Sequence, residues 1–262
     1  MEPTGSLQGK RIAITRAAER AEGFAAAIRA CGAEVLVCPT IAYAPPDDPA
    51  PLDAALRDLD RYDWLMITSA AAVEALSARK AWPLPTHMRV AAVGKATAAA
   101  IEACGGCVDL LPAEQHAEGL LAELGEMAGA RVLLPLADIA RETLAAGLRA
   151  RGAVVDVVIA YRTVPGPGVQ RLLAPLRARA LDAVVFSSPS TLRYMLDGCE
   201  RLGIDRQTAR DLLAGAALVA IGPATARALE KEGLVVSARA PVPTAEGMIA
   251  ALVEALQRRL LH

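Results

Sequence analysis

Short apolar runs alternate with amphipathic segments along most of this chain. The amphipathic segments predict helices; in residues 19–31, for example, Phe24, Ala27, Ile28 and Cys31 share one face and Gly32 follows as a stop signal. Strands that alternate with helices predict parallel sheets covered by helices on both faces. The runs predict buried strands at residues 10–14, 35–38, 64–67, 90–93 and 108–111.

The same order of motifs occurs twice. Residues 11–35 match residues 131–155 at a constant offset of 120. Three further matches follow in the same order: 63–69 with 182–188, 90–98 with 218–226, and 117–120 with 245–248. An Ala-rich composition does not explain ordered matches of this kind. The pattern therefore predicts two duplicated α/β lobes.

Two extended stretches occur where such lobes must be joined. Residues 37–46 and 157–168 each begin as a strand and run through Ala-Tyr into prolines, which end regular structure. A tyrosine on a crossover between two lobes has one side towards the cleft that they form. Tyr161 is therefore a candidate functional residue, with plain packing as the alternative.

Length and charge narrow the classes of function. A chain of 262 residues is long for one core and comfortable for two domains. Because the formal net charge is only -1, no general attraction to nucleic acid or to an acidic membrane is expected. An anionic ligand would have to be held by local features.

The termini and the cysteines favour a cytoplasmic protein. Residues 1–5 lack the basic start and apolar core of a signal peptide, and no apolar run reaches the ~18 residues of a membrane span. Five cysteines, an odd number in an apolar setting, predict reduced buried thiols. Cys104 and Cys107 have redox spacing, but they follow a predicted helix, and an ordinary helix end is the favoured interpretation.

Hydroxyl residues and glycines cluster where predicted strands turn into helices. Such turns expose backbone N–H groups at the positive end of a helix, which is suited to a carboxylate or phosphate. The alternative is plain N-capping, since Ser and Thr are preferred caps. Five turns of this kind in two duplicated lobes favour an anionic ligand. They are Thr15-Arg16, Thr68-Ser69, Gly94 to Thr97, Ser187 to Ser190, and Gly222 to Thr225.

Several common catalytic motifs are missing from the sequence. It contains neither G-x-G-x-x-G after a strand nor G-x-x-x-x-G-K-[ST], so nucleotide binding lacks its usual cradle. It also lacks a G-x-S-x-G elbow and a Cys-His pairing for acyl transfer. An enzyme of this composition is expected to hold a reactive substrate in shape, with few titratable groups in direct chemical roles.

Taken in order, these motifs resemble uroporphyrinogen-III synthase. The resemblance extends from Leu7 to about Leu256. It rests on Ile14-Thr15-Arg16, Ile67-Thr68-Ser69, Val93-Gly94-x-x-Thr97, Tyr161-Arg162-Thr163, Phe186 to Ser190, Ile221-Gly222-Pro223-x-Thr225, and Pro243-Thr244.

The resemblance implies a particular domain organisation. The family's fold is two α/β lobes with parallel sheets flanked by helices, joined by a two-stranded ladder. The implied first lobe is discontinuous, with residues 1–40 and 166–262, and the second comprises residues 47–156. The implied ladder is residues 41–46 with residues 157–165.

The resemblance also implies an activity. The family closes the linear tetrapyrrole hydroxymethylbilane into uroporphyrinogen III, with loss of water and inversion of the terminal pyrrole ring. It needs no cofactor and no metal. A cytoplasmic monomer is implied, with transient handover of substrate from hydroxymethylbilane synthase and no nucleic-acid or membrane partner.

The implied site consists of one catalytic residue and a set of substrate-binding residues. Tyr161 matches the family's cleft tyrosine, whose phenol assists departure of the hydroxyl. Lys95 and Arg141 are further candidates for a substrate carboxylate, with surface solvation as the equal alternative, and Ala224 stands where the family commonly has a hydroxyl. The implied substrate-binding residues are Thr15, Arg16, Ser69, Gly94, Thr97, Ser188, Gly222 and Thr225.

A second hypothesis comes from another class of protein. A non-catalytic, two-lobed ligand-binding or regulatory protein would share the fold, since fold alone does not determine function. Retention of Tyr161, Thr97 and Thr225 together favours the enzyme.

Overall fold

The computed structural model describes residues 6–16, 18–140 and 142–259. Within these ranges the strands are β1 (Arg11–Ile14), β2 (Glu34–Val37), β3 (Ile41–Ala44), β4 (Trp64–Ile67), β5 (Arg89–Ala92), β6 (Arg131–Ala137), β7 (Val154–Pro165), β8 (Ala183–Phe186), β9 (Ala217–Ala220) and β10 (Ala238–Arg239). The helices are α1 (Ala18–Ala30), α2 (Ala50–Arg57), α3 (Ala70–Ser77), α4 (Lys95–Ala103), α5 (Ala117–Glu123), α6 (Thr143–Ala150), α7 (Gly168–Arg177), α8 (Pro189–Arg201), α9 (Arg206–Ala214), α10 (Pro223–Lys231) and α11 (Ala245–Arg259). A short 3-10 helix covers Leu59–Arg61.

The chain divides into two compact units. Unit 1 comprises residues up to Ala42 and residues from Val164 onward, and unit 2 comprises residues 43–163. The sheet of unit 1 has the order β10-β9-β8-β1-β2, and its neighbouring strands are parallel. The second sheet has the order β3-β7-β6-β4-β5, with β7, β6, β4 and β5 parallel. The predicted α/β class is confirmed, with parallel strands throughout the sheet of unit 1 and in four of the five strands of the second sheet.

The duplication extends to the register of the strands. Ile12 pairs with Ala183 in unit 1, and the equivalent pair in unit 2 is Val132 with Trp64. In each unit, an aspartate just before one strand accepts the first N–H of the neighbouring strand, β1 or β6. Asp182 Oδ2 accepts the N–H of Arg11 at 2.8 Å, and Asp63 Oδ2 accepts the N–H of Arg131 at 2.7 Å. The two lobes are therefore repeats of one hydrogen-bonding plan as well as of one sequence pattern.

Inner strands of each sheet, such as β4 and β8, are buried on both faces, as continuous apolar strands require. Successive residues of β4 point to opposite faces, so Leu65 and Ile67 pack with the core beneath α2, α3 and α4. Trp64 and Met66 pack on the other face with residues of α5 and α6. Unit 1 repeats this two-sided core around β8, where Val184 and Phe186 lie on one face and Val185 on the other.

One predicted strand, residues 108–111, is wrong. Only a single bridge forms there, between Leu110 and Ala91. The side chain of Asp109 accepts the N–H of Val90 at 2.7 Å, in place of a strand carbonyl. Pro112 follows and has no N–H to continue a ladder. The equivalent position in unit 1 is β10, which is itself only two residues long.

An ion cluster joins α9 to the end of α10. Glu232 lies 2.9 Å from Arg210 and 3.3 Å from Arg206. Burial alone would raise the pKa of Glu232, but hydrogen bonds and charge from Arg206 and Arg210 outweigh it, and the pKa lies below its ordinary value. The folded state therefore favours the carboxylate.

This cluster predicts a loss of stability in acid. A carboxyl with a depressed folded pKa stabilises the fold above its unfolded pKa of about 4.3, and that contribution disappears as the pH falls through the folded value. Glu232→Gln should be less stable than the parent chain at pH 7, and the difference should shrink below about pH 4.3. Urea unfolding between pH 3 and 7 measures this. A difference that stays constant across that range would contradict the assignment.

Candidate functional site

The turns at the carboxyl ends of β4 and β5 lie on the same edge of the sheet in unit 2, because these strands are adjacent and parallel. Ser69 is the N-cap of α3, and its Oγ accepts the N–H of Ala72 at 3.2 Å. Gly94 is the N-cap of α4. These turns therefore place two helix N-termini side by side, as the sequence predicts.

Tyr161 reaches the same edge from β7. It pairs with Ala137, the last residue of the parallel neighbour β6. The register shifts between Leu136 and Ala137, and beyond this bulge both Ala160 and Tyr161 pack into the core beneath α3. The bulge turns the Tyr161 side chain towards the start of α3.

The Tyr161 hydroxyl lies 3.0 Å from Ser69 Oγ, and 9% of the tyrosine is exposed. A serine hydroxyl has one donor and two acceptor sites. Ser69 already accepts the N–H of Ala72, and either hydroxyl can be the donor between Ser69 and Tyr161. The two hydroxyls therefore lie in one hydrogen-bonded chain that begins at the positive end of α3.

Tyr43 on β3 is a second aromatic residue at this place. Its ring centroid lies 5.0 Å from that of Tyr161, with the rings at 78°. Unlike Tyr161, Tyr43 is 53% exposed. Tyr43 was not among the predicted site residues, although its position in an Ala-Tyr crossover equivalent to that of Tyr161 was a usable signal.

At the start of α4, a backbone N–H donates to a side chain from a distant part of the chain, whereas α3 and α8 are capped by their own N-cap serines. The N–H of Lys95 donates to the side-chain Oε1 of Gln115 at 3.0 Å. Thr97 is buried in the first turn. Gln115 thus supplies a side-chain acceptor for the first N–H of α4, and sequence reasoning missed it because the residue lies 20 positions along the chain.

The predicted residues of unit 1 lie at the carboxyl ends of its adjacent strands β1, β8 and β9. Ser188 caps α8 by accepting the N–H of Thr191 at 3.2 Å, and Gly222 caps α10. Thr225 is buried, and Arg16 is half-buried. Five predicted residues therefore lie at one sheet edge: Thr15, Arg16, Ser188, Gly222 and Thr225.

Thr15 has no exposed surface, and its hydroxyl donates to the carbonyl of Val185 at 2.9 Å. The same carbonyl accepts the Thr15 N–H at 3.1 Å. The side chain therefore joins β1 to β8.

Of the two cationic candidates in unit 2, Lys95 is exposed, and Arg141 lies outside the described residues.

The Thr15 hydroxyl predicts a modest effect on stability. Thr15→Val should lower the free energy of unfolding by about 1 kcal/mol, because one hydrogen bond is lost while the Val185 carbonyl keeps its N–H partner. Thermal unfolding followed by circular dichroism should show a decrease in Tm of about 2–4 °C. An unchanged Tm would mean that the hydroxyl contributes nothing to the fold.

Neither a metal cluster nor a membrane span is found in the described part of the chain. Within it, no three His, Cys, Asp or Glu side chains are grouped so that they could hold a metal ion. None of the helices described is both long enough and apolar enough to span a bilayer.

Comparison with known proteins decides the family. The sequence profile described as uroporphyrinogen-III synthase HemD matches residues 22–250. The chain belongs to the uroporphyrinogen-III synthase family. The resemblance expected from the motifs is thereby confirmed.

Relatives and solved structures of this family agree. The chain is 37% identical over 228 residues to a uroporphyrinogen-III synthase of Synechococcus elongatus, covering 84% of this chain and 85% of that protein. A chloroplastic uroporphyrinogen-III synthase of Oryza sativa subsp. japonica is 29% identical over 255 residues, covering 94% and 80%. A mutant uroporphyrinogen III synthase from Thermus thermophilus shares the fold, with a TM-score of 0.59 and 24% identity over 95% of this chain and all of that one. The Helicobacter pylori synthetase does so with a TM-score of 0.54 and 18% identity over 96% and 99%.

Proposed function

We propose that this chain closes hydroxymethylbilane into uroporphyrinogen III, with loss of water and inversion of the terminal pyrrole ring. It is then a cyclising lyase of tetrapyrrole synthesis. Membership of the family supports this activity. The observation that carries the chemistry is the hydroxyl pair of Tyr161 and Ser69 at the N-terminus of α3. The non-catalytic alternative is not favoured.

In the first step, the hydroxyl of the terminal hydroxymethyl group leaves. The pyrrole nitrogen supplies the electron pair as the C–O bond breaks, and the product is a cationic azafulvene. Tyr161 donates its hydrogen bond to the departing oxygen, which leaves as water. Ser69 donates to the Tyr161 oxygen as that proton shifts outward, so negative charge on the phenol is stabilised.

In the second step, the azafulvene carbon is attacked by the substituted position of the far ring. In the expected spiro intermediate, the far ring's bond to its original methylene bridge breaks, and the free position of the same ring bonds to that bridge, so the ring is inverted. The ring proton lost at that position returns to the Tyr161 phenolate, and aromaticity is restored. Protein groups need only hold the two end rings so that this attack outcompetes direct closure to the type I isomer.

The eight carboxylates of the substrate supply the anchoring points. Within unit 2 we assign carboxylate binding to the backbone N–H groups at the N-termini of α3 and α4, where the helix dipoles favour negative charge. The N-termini of α8 and α10 are the equivalent anion-binding positions within unit 1. Arg16 is the proposed guanidinium partner. Ser69, Gly94, Thr97, Ser188, Gly222 and Thr225 shape these turns, and Thr15 holds the strand that presents Arg16.

The domain assignment is also part of the proposal. Residues 1–40 and 166–262 form one lobe, residues 47–156 form the other, and residues 41–46 and 157–165 join them. Support comes from the adjacency of β3 and β7 in one sheet and from the two chain passages between the units, after Ala42 and after Thr163.

We further propose that the enzyme works as a cytoplasmic monomer supplied by hydroxymethylbilane synthase. All five cysteines are free thiols, which suits a reducing compartment. One chain contains both sets of strand-end turns. Direct transfer would limit the uncatalysed closure of the reactive bilane.

The test is to supply freshly prepared hydroxymethylbilane to the purified chain and to separate the products by chromatography. Type III product should dominate, whereas a heat-unfolded sample should give the type I isomer. A product ratio equal to that of the protein-free reaction would overturn the proposed function.

A further inference from the structure

Tyr43 has a large exposed surface beside the proposed catalytic hydroxyl. It belongs to β3, the edge strand of the second sheet, and 53% of the residue is exposed. Its packing partner is the ring of Tyr161, which is contacted edge to face at 5.0 Å between centroids. Packing on Tyr161 therefore uses only part of the Tyr43 ring.

The exposed position of the Tyr43 ring is not explained by stacking with an arginine side chain. Among the described residues, three arginines lie over aromatic rings, namely those of Tyr62, Trp64 and Tyr194. Tyr43 is not one of these rings. The nearby Arg162 donates instead to the carbonyl of Pro45 at 3.0 Å and pairs with Asp47 at 2.9 Å.

The chemistry at Tyr161 creates a positive charge that an aromatic ring can stabilise. Departure of the hydroxyl leaves a cation spread over a pyrrole ring and its exocyclic carbon. Aromatic faces attract cations within about 6 Å of the ring centroid. The Tyr43 and Tyr161 rings are 5.0 Å apart, so the exposed part of the Tyr43 ring is available to a pyrrole that binds beside Tyr161.

We infer that Tyr43 contacts the reacting pyrrole and stabilises the azafulvene cation through its aromatic face. This role rests on the proposed function and adds a second residue to it. Tyr161 helps the oxygen to leave, and Tyr43 stabilises the charge that remains on the carbon. The interaction is stronger in the transition state than in the neutral substrate, so it acts on kcat more than on KM.

The test compares side chains of similar size at position 43. Tyr43→Phe should keep kcat within about twofold, because the ring remains. Tyr43→Leu should lower kcat about tenfold, with KM changed less than about twofold. Phenylalanines with one, three and five fluorines at this position keep the shape but weaken the negative ring face, and kcat should fall stepwise.

Controls separate this role from packing. Val235→Ala removes an apolar side chain that is 82% exposed in unit 1, and its kcat should equal that of the parent chain. Thermal melting should show that the fluorinated variants fold equally well. Equal kcat across the fluorinated series in an active enzyme would overturn the role of Tyr43 alone. Absence of type III product from the unmodified chain would overturn the proposed function and this role together.

Discussion

Tyr161→Phe is expected to lower kcat about 100-fold while KM changes less than about twofold. Hydrogen-bond donation to the departing oxygen is needed only as the C–O bond breaks, so its loss raises the barrier without weakening ground-state binding. The variant also loses the hydrogen bond to Ser69, which should lower the free energy of unfolding by about 1 kcal/mol. Initial rates with fresh hydroxymethylbilane give kcat and KM, and urea unfolding gives the stability.

Tyr62→Phe is the matched control. Tyr62 is a buried tyrosine in the same unit, and its hydroxyl donates to Asp156 at 2.8 Å. The same hydroxyl accepts from Arg61 at 2.6 Å, so its loss should reduce stability at least as much and leave kcat unchanged. If Tyr161→Phe lowered kcat no more than Tyr62→Phe did, the phenol of Tyr161 would have no part in the chemistry.

Gly168→Ala is expected to destabilise the fold by about 3 kcal/mol or more. A Cβ at this position would lie 2.2 Å from the carbonyl carbon of Cys38 and 2.3 Å from the nitrogen of Pro39. Both atoms belong to the backbone, so no side-chain rotation relieves the overlap. The Gly168 N–H also donates to the Pro39 carbonyl at 2.9 Å, and the displacement would weaken this bond.

Gly23→Ala provides the contrast. Gly23 lies inside α1, and a Cβ there meets nothing within 4 Å. This substitution should raise the free energy of unfolding by about 0.5–1 kcal/mol, because alanine is the better helix former. Urea unfolding of both variants measures the two effects. If Gly168→Ala were as stable as the parent chain, the backbone around Cys38 and Pro39 could shift at little cost in free energy.

Much of the fold was predictable because its signals are local. A parallel strand that is buried on both faces reads as an uninterrupted apolar run, and β4, β8 and β9 are buried at every position. The internal repeat then predicted two lobes of one design. The exception, residues 108–111, failed because a side chain of Asp109 takes the place of a backbone partner.

The candidate site was predictable in part for the same reason. Ser69 and Ser188 are recognisable as caps because each follows an apolar strand and precedes a helix. The contact between Ser69 and Tyr161 spans 92 positions of sequence and depends on the register shift in β7. Gln115 at the start of α4 and Tyr43 beside Tyr161 likewise depend on contacts between distant elements.

The sequence by itself determined most of the strands, the repeat and the helix caps, since each follows from residue type and spacing along the chain. Its motifs also resembled the family that comparison with known proteins confirmed. The tertiary structure decided which group each hydroxyl contacts. Strand register and one bulge bring Tyr161 to Ser69, and burial assigns the Thr15 hydroxyl to Val185. The physical reason is that a hydrogen bond forms only when donor and acceptor atoms lie within about 3 Å of each other. The apolar pattern of the sequence does not fix such distances, which depend on how the strands pair.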